Sequence, residues 1–141
     1  MKLYQRLEQL SRWLKYQATY LEMEYHLKQV LNGKEYRYMK DIFNYDRGTG
    51  KSVALARLSA KYNLPIIVYT NIAKKHIEDI PQKLPKYFKK NKPLVLVCHK
   101  EKLLGKRFDV VLLDQELSPQ QMNDLYEVGL TNKYVGFRYY Y

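Results

Sequence analysis

A short glycine-containing segment between two apolar stretches constrains the fold of this chain more than any other feature. Residues 46–52 (DRGTGKS) follow an apolar stretch that ends at Phe43 and precede residues 53–56 (VALA). The pattern predicts a strand over 36–44, a turn, and a helix over 52–62. A turn at a helix N-terminus presents unpaired backbone N–H groups and the positive end of the helix dipole, and both attract phosphate.

The residue types of this segment suit a phosphate chain and its magnesium ion. Gly48 and Gly50 let the backbone approach the phosphates, Lys51 reaches the outer phosphates, and the Ser52 hydroxyl is a magnesium ligand. The complete phosphate-loop pattern has a first glycine where this chain has Tyr45. The alternative interpretation is an ordinary glycine-containing turn with a surface lysine. The predicted strand and helix on either side favour the phosphate loop. Its predicted nucleotide-binding residues are Arg47, Gly48, Thr49, Gly50, Lys51, Ser52 and Val53.

A second informative segment lies far downstream. Residues 110–113 are consecutive apolar residues, and Asp114 follows them. A buried parallel strand that ends in a carboxylate can deliver that acid to a metal ion at the edge of the sheet. Buried strands often end in Asp, so the signal is strong only in combination with the Gly-Lys-Ser turn. Ser52 and Asp114 are therefore the predicted magnesium-binding residues.

Together, the two segments resemble the Walker A and Walker B motifs of P-loop NTPases. They are most similar to the RecA-like branch, which includes helicases and viral DNA-packaging (terminase) ATPases. Residues 104–109 resemble the lead-in of many helicases and terminases, and Arg47 stands where terminase large subunits often carry an arginine. The resemblance covers roughly residues 38–117. It implies ATP and Mg²⁺ as cofactors and catalytic roles for Lys51 and Arg47.

One position departs from the family pattern. The family usually has Glu directly after the Walker B Asp, where it orients or deprotonates the attacking water. This chain has Gln115 there, and Glu116 follows one residue later. Either Glu116 takes this role in a shifted geometry, another acid does, or hydrolysis is slow. Nucleotide binding is therefore better supported than turnover. The predicted catalytic residues are Lys51, Glu116, Gln115 and Arg47.

Composition indicates a soluble, intracellular, single domain. A chain of 141 residues, 46% of them hydrophobic, has enough apolar material for one core. The sequence contains neither an apolar run of membrane-spanning length nor a signal-peptide pattern. Cys98 is the single cysteine and suits a reducing compartment. We expect a cytoplasmic location, in the host cytoplasm if the protein is viral, and no membrane partner.

The charge favours a polyanionic partner. Lys and Arg number 25 against 14 Asp and Glu, for a net charge of +11, and nucleic acid is the commonest partner of such chains. The most basic segment is 81–92, and its alternative interpretation is a solvated connector. The excess of lysine and the 15 tyrosines have an alternative explanation, an AT-rich coding bias that has nothing to do with nucleic-acid binding. The predicted nucleic-acid-binding residues are Lys83, Lys86, Lys89 and Lys90.

Strands that alternate with helices predict an α/β fold, a three-layer sandwich. The RecA-like resemblance implies a largely parallel five-stranded sheet, with the last strand between the Walker A and Walker B strands. Residues 2–31 are predicted to form one long helix that packs on this sheet, and 72–80 a shorter helix. Further strands are expected at 66–70, 94–98 and 134–141. A leucine stripe on the long helix, available to a second copy of the chain, comprises Leu3, Leu7, Leu10 and Leu14.

The predicted function is an ATP-binding, magnesium-dependent P-loop protein, an ATPase acting on or near nucleic acid. Phage or mobile-element DNA handling is the setting that the resemblance favours. One alternative is a small nucleoside or nucleotide kinase, although the sequence has no obvious arginine-rich lid or acceptor-binding motif. A second is a non-hydrolysing, nucleotide-dependent interaction module, which Gln115 makes credible.

Overall fold

The computed structural model describes residues 2–43, 50–115, 117–127 and 133–140. Helices and strands alternate along these residues. The helices are α1 (Leu3–Leu31), α2 (Lys51–Tyr62), α3 (Asn71–Glu78), α4 (Ile80–Lys83), α5 (Lys100–Leu103) and α6 (Pro119–Glu127). The strands are β1 (Arg37–Phe43), β2 (Pro65–Val68), β3 (Leu94–Val97), β4 (Val111–Leu113) and β5 (Tyr134–Tyr140).

Two predicted boundaries between β2 and α4 are wrong, and both have a local cause. The strand expected over 66–70 ends at Val68, because the Thr70 hydroxyl accepts a hydrogen bond from the Ala73 backbone N–H at 3.1 Å and caps α3. The helix expected over 72–80 ends at Glu78, and α4 begins at Ile80. Pro81 follows that break, and a proline has no backbone N–H with which to continue the hydrogen bonds of α3.

All five strands are parallel, in the order β1-β5-β4-β2-β3. The predicted five-stranded parallel sheet is confirmed, and β5 lies between β1 and β4 as expected. At the carboxyl end of β4, Leu113 pairs with Gly136 of β5. A Cβ atom on Gly136 would collide with the Leu113 carbonyl oxygen, so only glycine allows this close pairing, directly before Asp114.

Helices pack on both faces of the sheet. The larger core cluster unites Met23 of α1 and Leu58 of α2 with strand residues such as Leu112. A second cluster contains Leu113 with Leu103 of α5 and Leu125 of α6. Because neighbouring strand residues point to opposite faces, Leu112 and Leu113 assign the two clusters to opposite faces of the sheet.

Helix α1 is buried only in its C-terminal half. Its buried residues begin at Thr19, and the side chains before it are exposed or partly exposed. The predicted packing on the core therefore holds for the second half of the helix, while the leucine stripe lies on an exposed extension. No helix in the described part of the chain has the length and apolarity needed to cross a membrane. The exposed fractions of the stripe are 74% for Leu3, 56% for Leu7, 52% for Leu10 and 53% for Leu14.

Candidate nucleotide site and basic cavity

The predicted nucleotide site is described in part. Arg47, Gly48, Thr49 and Glu116 lie outside the described residues. Gly50 caps α2, and Lys51 and Ser52 are its first two residues, which confirms the predicted helix start after the turn. Asp114 directly follows β4.

Gly50 is required at the start of α2 for two reasons. Its φ of 78° is left-handed, a conformation that side-chain-bearing residues rarely adopt. A Cβ atom at this position would also lie 2.5 Å from a ring carbon of Tyr16. The Tyr16 ring of α1 therefore packs directly against Gly50. Sequence reasoning missed this contact, because Tyr16 belongs to a distant helix and carries no motif.

Asp114 is the acid of the site, and its side chain is partly buried with a fully buried Oδ1 atom. Burial raises the pKa of its carboxyl group, while the positive charges of Lys51 and His76 oppose that rise. Lys51 and His76 of α3 are therefore close enough to Asp114 for their charges to act on its carboxyl group. The Oδ1 atom is buried and forms no hydrogen bond within the described residues. A buried oxygen without a partner costs about 1–3 kcal/mol, which a cation or its bound water would relieve.

The Lys51 side chain also contacts the neighbouring strand. Its Nζ atom lies 4.5 Å from the centroid of the Tyr139 ring of β5, a cation–π distance. The strand between β1 and β4 thereby touches the lysine that the sequence assigns to phosphate binding.

The donor types at this edge fit magnesium. Ser52 supplies a hydroxyl oxygen and Asp114 a carboxylate, and Mg²⁺ prefers oxygen ligands. Within the described residues, no group of three or more His, Cys, Asp or Glu side chains is arranged to hold a metal ion. Such a group is not needed here, because nucleotide-bound Mg²⁺ uses one or two protein ligands besides phosphate oxygens and waters.

Helix α6 begins with a cap that depends on neighbouring residues only. The Ser118 hydroxyl accepts a hydrogen bond from the Gln121 backbone N–H at 3.2 Å, and the Gln121 side chain accepts one from Ser118 N at 3.0 Å. This reciprocal pair is a capping box. Gln115, between Asp114 and this cap, is exposed.

The predicted basic segment contributes to a cavity of about 500 Å³ between α1, α2 and residues 86–91. We call it the Arg57 cavity. Lys83 lies on α4 and does not line the cavity. Three of the four predicted lysines are therefore brought together. The charged or aromatic residues that line the cavity are Tyr20, Arg57, Lys61, Lys86, Tyr87, Lys89 and Lys90.

No family model matches this chain, and searches of curated proteins and of solved structures find no match either.

Proposed function

We propose that this protein is a RecA-like P-loop NTPase that binds ATP with Mg²⁺. The observation that carries the proposal is the proximity of Lys51, at the N-terminus of α2, to the partly buried Asp114 after β4. The strand order supports it, because β5 separates β1 from β4 as the RecA-like resemblance implies. The Gly50–Lys51–Ser52 sequence at the helix start supplies the matching phosphate chemistry.

Each predicted binding residue has a distinct role in this proposal. Lys51 neutralises the outer phosphates, and the N–H groups at the start of α2, including that of Val53, face the phosphate chain. Ser52 and Asp114 hold the magnesium ion, Asp114 through the ion's water shell. When bound, Mg²⁺ neutralises charge on the phosphate oxygens. Gly48 and Thr49 complete the loop.

The proposed activity is ATP hydrolysis. A water oxygen bonds to the γ-phosphorus while the bond to the β-phosphate oxygen breaks, and Glu116 accepts the water's proton. Arg47 stabilises the charge on the transferring group within the same chain. Gln115 favours a second candidate function, a non-hydrolysing nucleotide-dependent switch. It stands where the family has its catalytic acid.

Calorimetry with ATP and Mg²⁺ tests nucleotide binding. Lys51→Ala should weaken binding about 10- to 100-fold, because a charge-assisted phosphate contact is lost. Lys102→Ala is the matched control, since Lys102 is exposed on α5 and belongs to neither site. Undiminished affinity in a folded Lys51→Ala protein would overturn the proposal.

A second experiment separates an ATPase from a kinase and from a switch. It measures phosphate release with and without single-stranded DNA, and with nucleosides as acceptors.

Two partners belong to this proposal. The net charge of +11 supports nucleic acid as the polymer on which the ATPase acts.

The exposed leucine stripe of α1 supports a second copy of the chain as a partner, because packing would remove that apolar surface from water. Light scattering should show a concentration-dependent oligomer. A monomer at all concentrations, with and without ATP and DNA, would contradict it.

A further inference from the structure

The Arg57 side chain stacks on aromatic rings. Its Cζ atom lies 3.7 Å from the centroid of the Tyr20 ring and 4.1 Å from that of Tyr87. Tyr20 is buried in α1, and the Gln17 side-chain amide donates a hydrogen bond to the Tyr87 hydroxyl at 3.3 Å, so α1 holds both rings in place.

These ring contacts leave the N–H donors of Arg57 available. Stacking uses the faces of the planar guanidinium, whereas its donors lie in the plane. Arg57 makes no hydrogen bond or ion pair with any residue in the described part of the chain. Such a guanidinium is held in one orientation and has unused N–H donors. It is therefore suited to a bidentate hydrogen-bonded contact with a phosphate group.

The lysines that line the Arg57 cavity reinforce this preference. The charge of Lys61 is balanced by an ion pair, since its Nζ lies 2.8 Å from Glu24 Oε2. Lys86, Lys89 and Lys90 form no ion pair within residues 2–43, 50–115, 117–127 and 133–140, and no carboxylate lines the cavity. Several like charges in one concavity repel one another, and a bound polyanion would relieve that repulsion.

A second cavity of about 240 Å³ adjoins the first and shares Arg57, Lys86 and Tyr87 with it. Its other walls include the aromatic rings of Trp13 and Tyr16 and the aliphatic side chains of Val53 and Leu84. Trp13 is 48% exposed, so its ring is open to an incoming group. An aromatic cavity next to a cationic one matches the two parts of a nucleotide unit, the base and the phosphodiester.

We propose that these two cavities bind single-stranded nucleic acid, with a phosphodiester at Arg57 and a base against Trp13. A duplex fits less well, because its bases are paired and stacked inside the helix and cannot enter the aromatic cavity. The proposal deepens the proposed function by naming the polymer class and its site. It does not require bound ATP, because it uses neither Lys51 nor Asp114, and of the described residues of the proposed nucleotide loop only Val53 lines the aromatic cavity.

The first experiment measures fluorescence quenching of Trp13, the only tryptophan in the chain. The protein is titrated without ATP with an oligothymidylate of about 20 nucleotides. This is longer than the roughly 4 to 16 nucleotides that one OB-fold domain occupies on a single strand. We expect saturable quenching by this oligonucleotide and little by a duplex of equal length or by inorganic phosphate. Absence of quenching by a bound oligonucleotide would overturn the site, as would equal quenching by the duplex. If ATP quenches Trp13 and competes with the oligonucleotide, the cavities bind the base of ATP and the proposed nucleic-acid site is wrong.

The second experiment measures affinity by anisotropy of the labelled oligonucleotide. Replacing Lys86, Lys89 and Lys90 with Gln should make the slope of log affinity against log salt shallower by about 2, at roughly 0.7 per phosphate contact. Arg57→Lys keeps the charge but loses the stacked, planar donors, and should weaken binding about tenfold. Trp13→Ala should weaken it by about 5-fold to 100-fold through loss of base stacking.

The matched control replaces Lys102, Lys106 and Arg107 with Gln, an equal change of charge beside α5, which packs on the other face of the sheet. Equal loss of affinity in both triple variants would contradict the site and indicate diffuse attraction. All variants are checked for folding by thermal unfolding. Lys51→Ala should keep full oligonucleotide binding and Arg57→Lys full ATP binding, so failure of one proposal is distinguishable from failure of the other.

Discussion

Lys51 and Arg57 lie on the same helix, about 9 Å apart along its axis, yet their surroundings differ. Lys51 lies close to Asp114, a carboxyl group whose pKa is raised by burial. Arg57 contacts two tyrosine rings in a cavity whose other charged lining residues are all lysines. A cation beside a partly buried acid suits a metal-bound nucleotide, whereas cations without an acid suit a polyanion.

The two regions should also respond differently to salt. Lys51 and Asp114 are partly buried, and salt screens partly buried charges less than it screens exposed ones. Lys86, Lys89 and Lys90 are exposed, so their attraction for phosphates is screened at physiological ionic strength. ATP binding is therefore expected to persist at salt concentrations that release the oligonucleotide.

The broadest effect is expected from Asp114→Asn, which should change both turnover and stability. ATP turnover should fall about 10- to 100-fold, because the residue that orients the ion's water shell is lost. Stability without ATP and Mg²⁺ should rise at pH 7. The folded pKa of Asp114 is raised, so the cost of its charge is absent below the unfolded pKa and grows as pH rises through the folded pKa.

Phosphate release and the melting temperature measure these two outcomes. The control is Asp109→Asn, because the Asp109 side chain is 63% exposed and the change should move neither quantity much. A lower melting temperature for Asp114→Asn would show that its carboxylate is satisfied in the folded protein. The comparison between the two regions would then lose its electrostatic basis.

The next set of effects concerns turnover alone and distinguishes an ATPase from a non-hydrolysing switch at the same site. If Glu116 is the general base, Glu116→Gln should abolish turnover and keep ATP binding, while Gln115→Glu changes little. If the protein is a slow switch, Gln115→Glu should raise turnover by restoring the family's acid. Steady-state hydrolysis by both variants decides, and we expect the first pattern.

The smallest effect is expected from Glu24→Gln, which tests the hydrogen bonds behind the Arg57 cavity. Glu24 accepts hydrogen bonds from Tyr20 at 2.9 Å, from Lys61 at 2.8 Å and from Tyr62 at 3.1 Å, and so joins α1 to α2. The change should cost about 1 kcal/mol of unfolding free energy and weaken oligonucleotide binding a few-fold, because the helices that frame the cavity separate more easily. ATP binding should be unchanged.

The pH dependence of that loss follows from the pKa of Glu24. Burial raises this pKa, but hydrogen bonds from Lys61, Tyr20 and Tyr62 outweigh burial and lower it from 4.5. The contribution of Glu24 is therefore complete above pH 4.5 and is lost as pH falls through the folded pKa. Denaturant unfolding at pH 7 and pH 3 should show the difference from Glu24→Gln narrowing in acid. The control is Glu127→Gln, which removes an exposed pair with Lys100 and should not affect oligonucleotide binding.

Local features of the chain were predictable because their causes are local. The α2 start at Gly50 and Lys51, the β4 strand before Asp114 and the Ser118 cap each depend on residues within one turn or one strand. The position of β5 between β1 and β4 came from the resemblance to RecA-like proteins, not from the residues of β5 themselves. The β2 end was missed because a threonine at a strand end can either extend the strand or cap the next helix.

By itself, the sequence determined the alternation of elements and the pairing of a Gly-Lys-Ser turn with a strand that ends in Asp114. Only the tertiary structure decided which distant residues come together: Tyr16 packs on Gly50, Arg57 lies over the Tyr20 and Tyr87 rings, and the charge of His76 acts on Asp114. Each of these contacts joins residues on different elements, so no periodicity along the chain encodes it. Arg57 looks like any polar residue on a helix until the packing of α1 and of the segment after α4 brings aromatic rings to it.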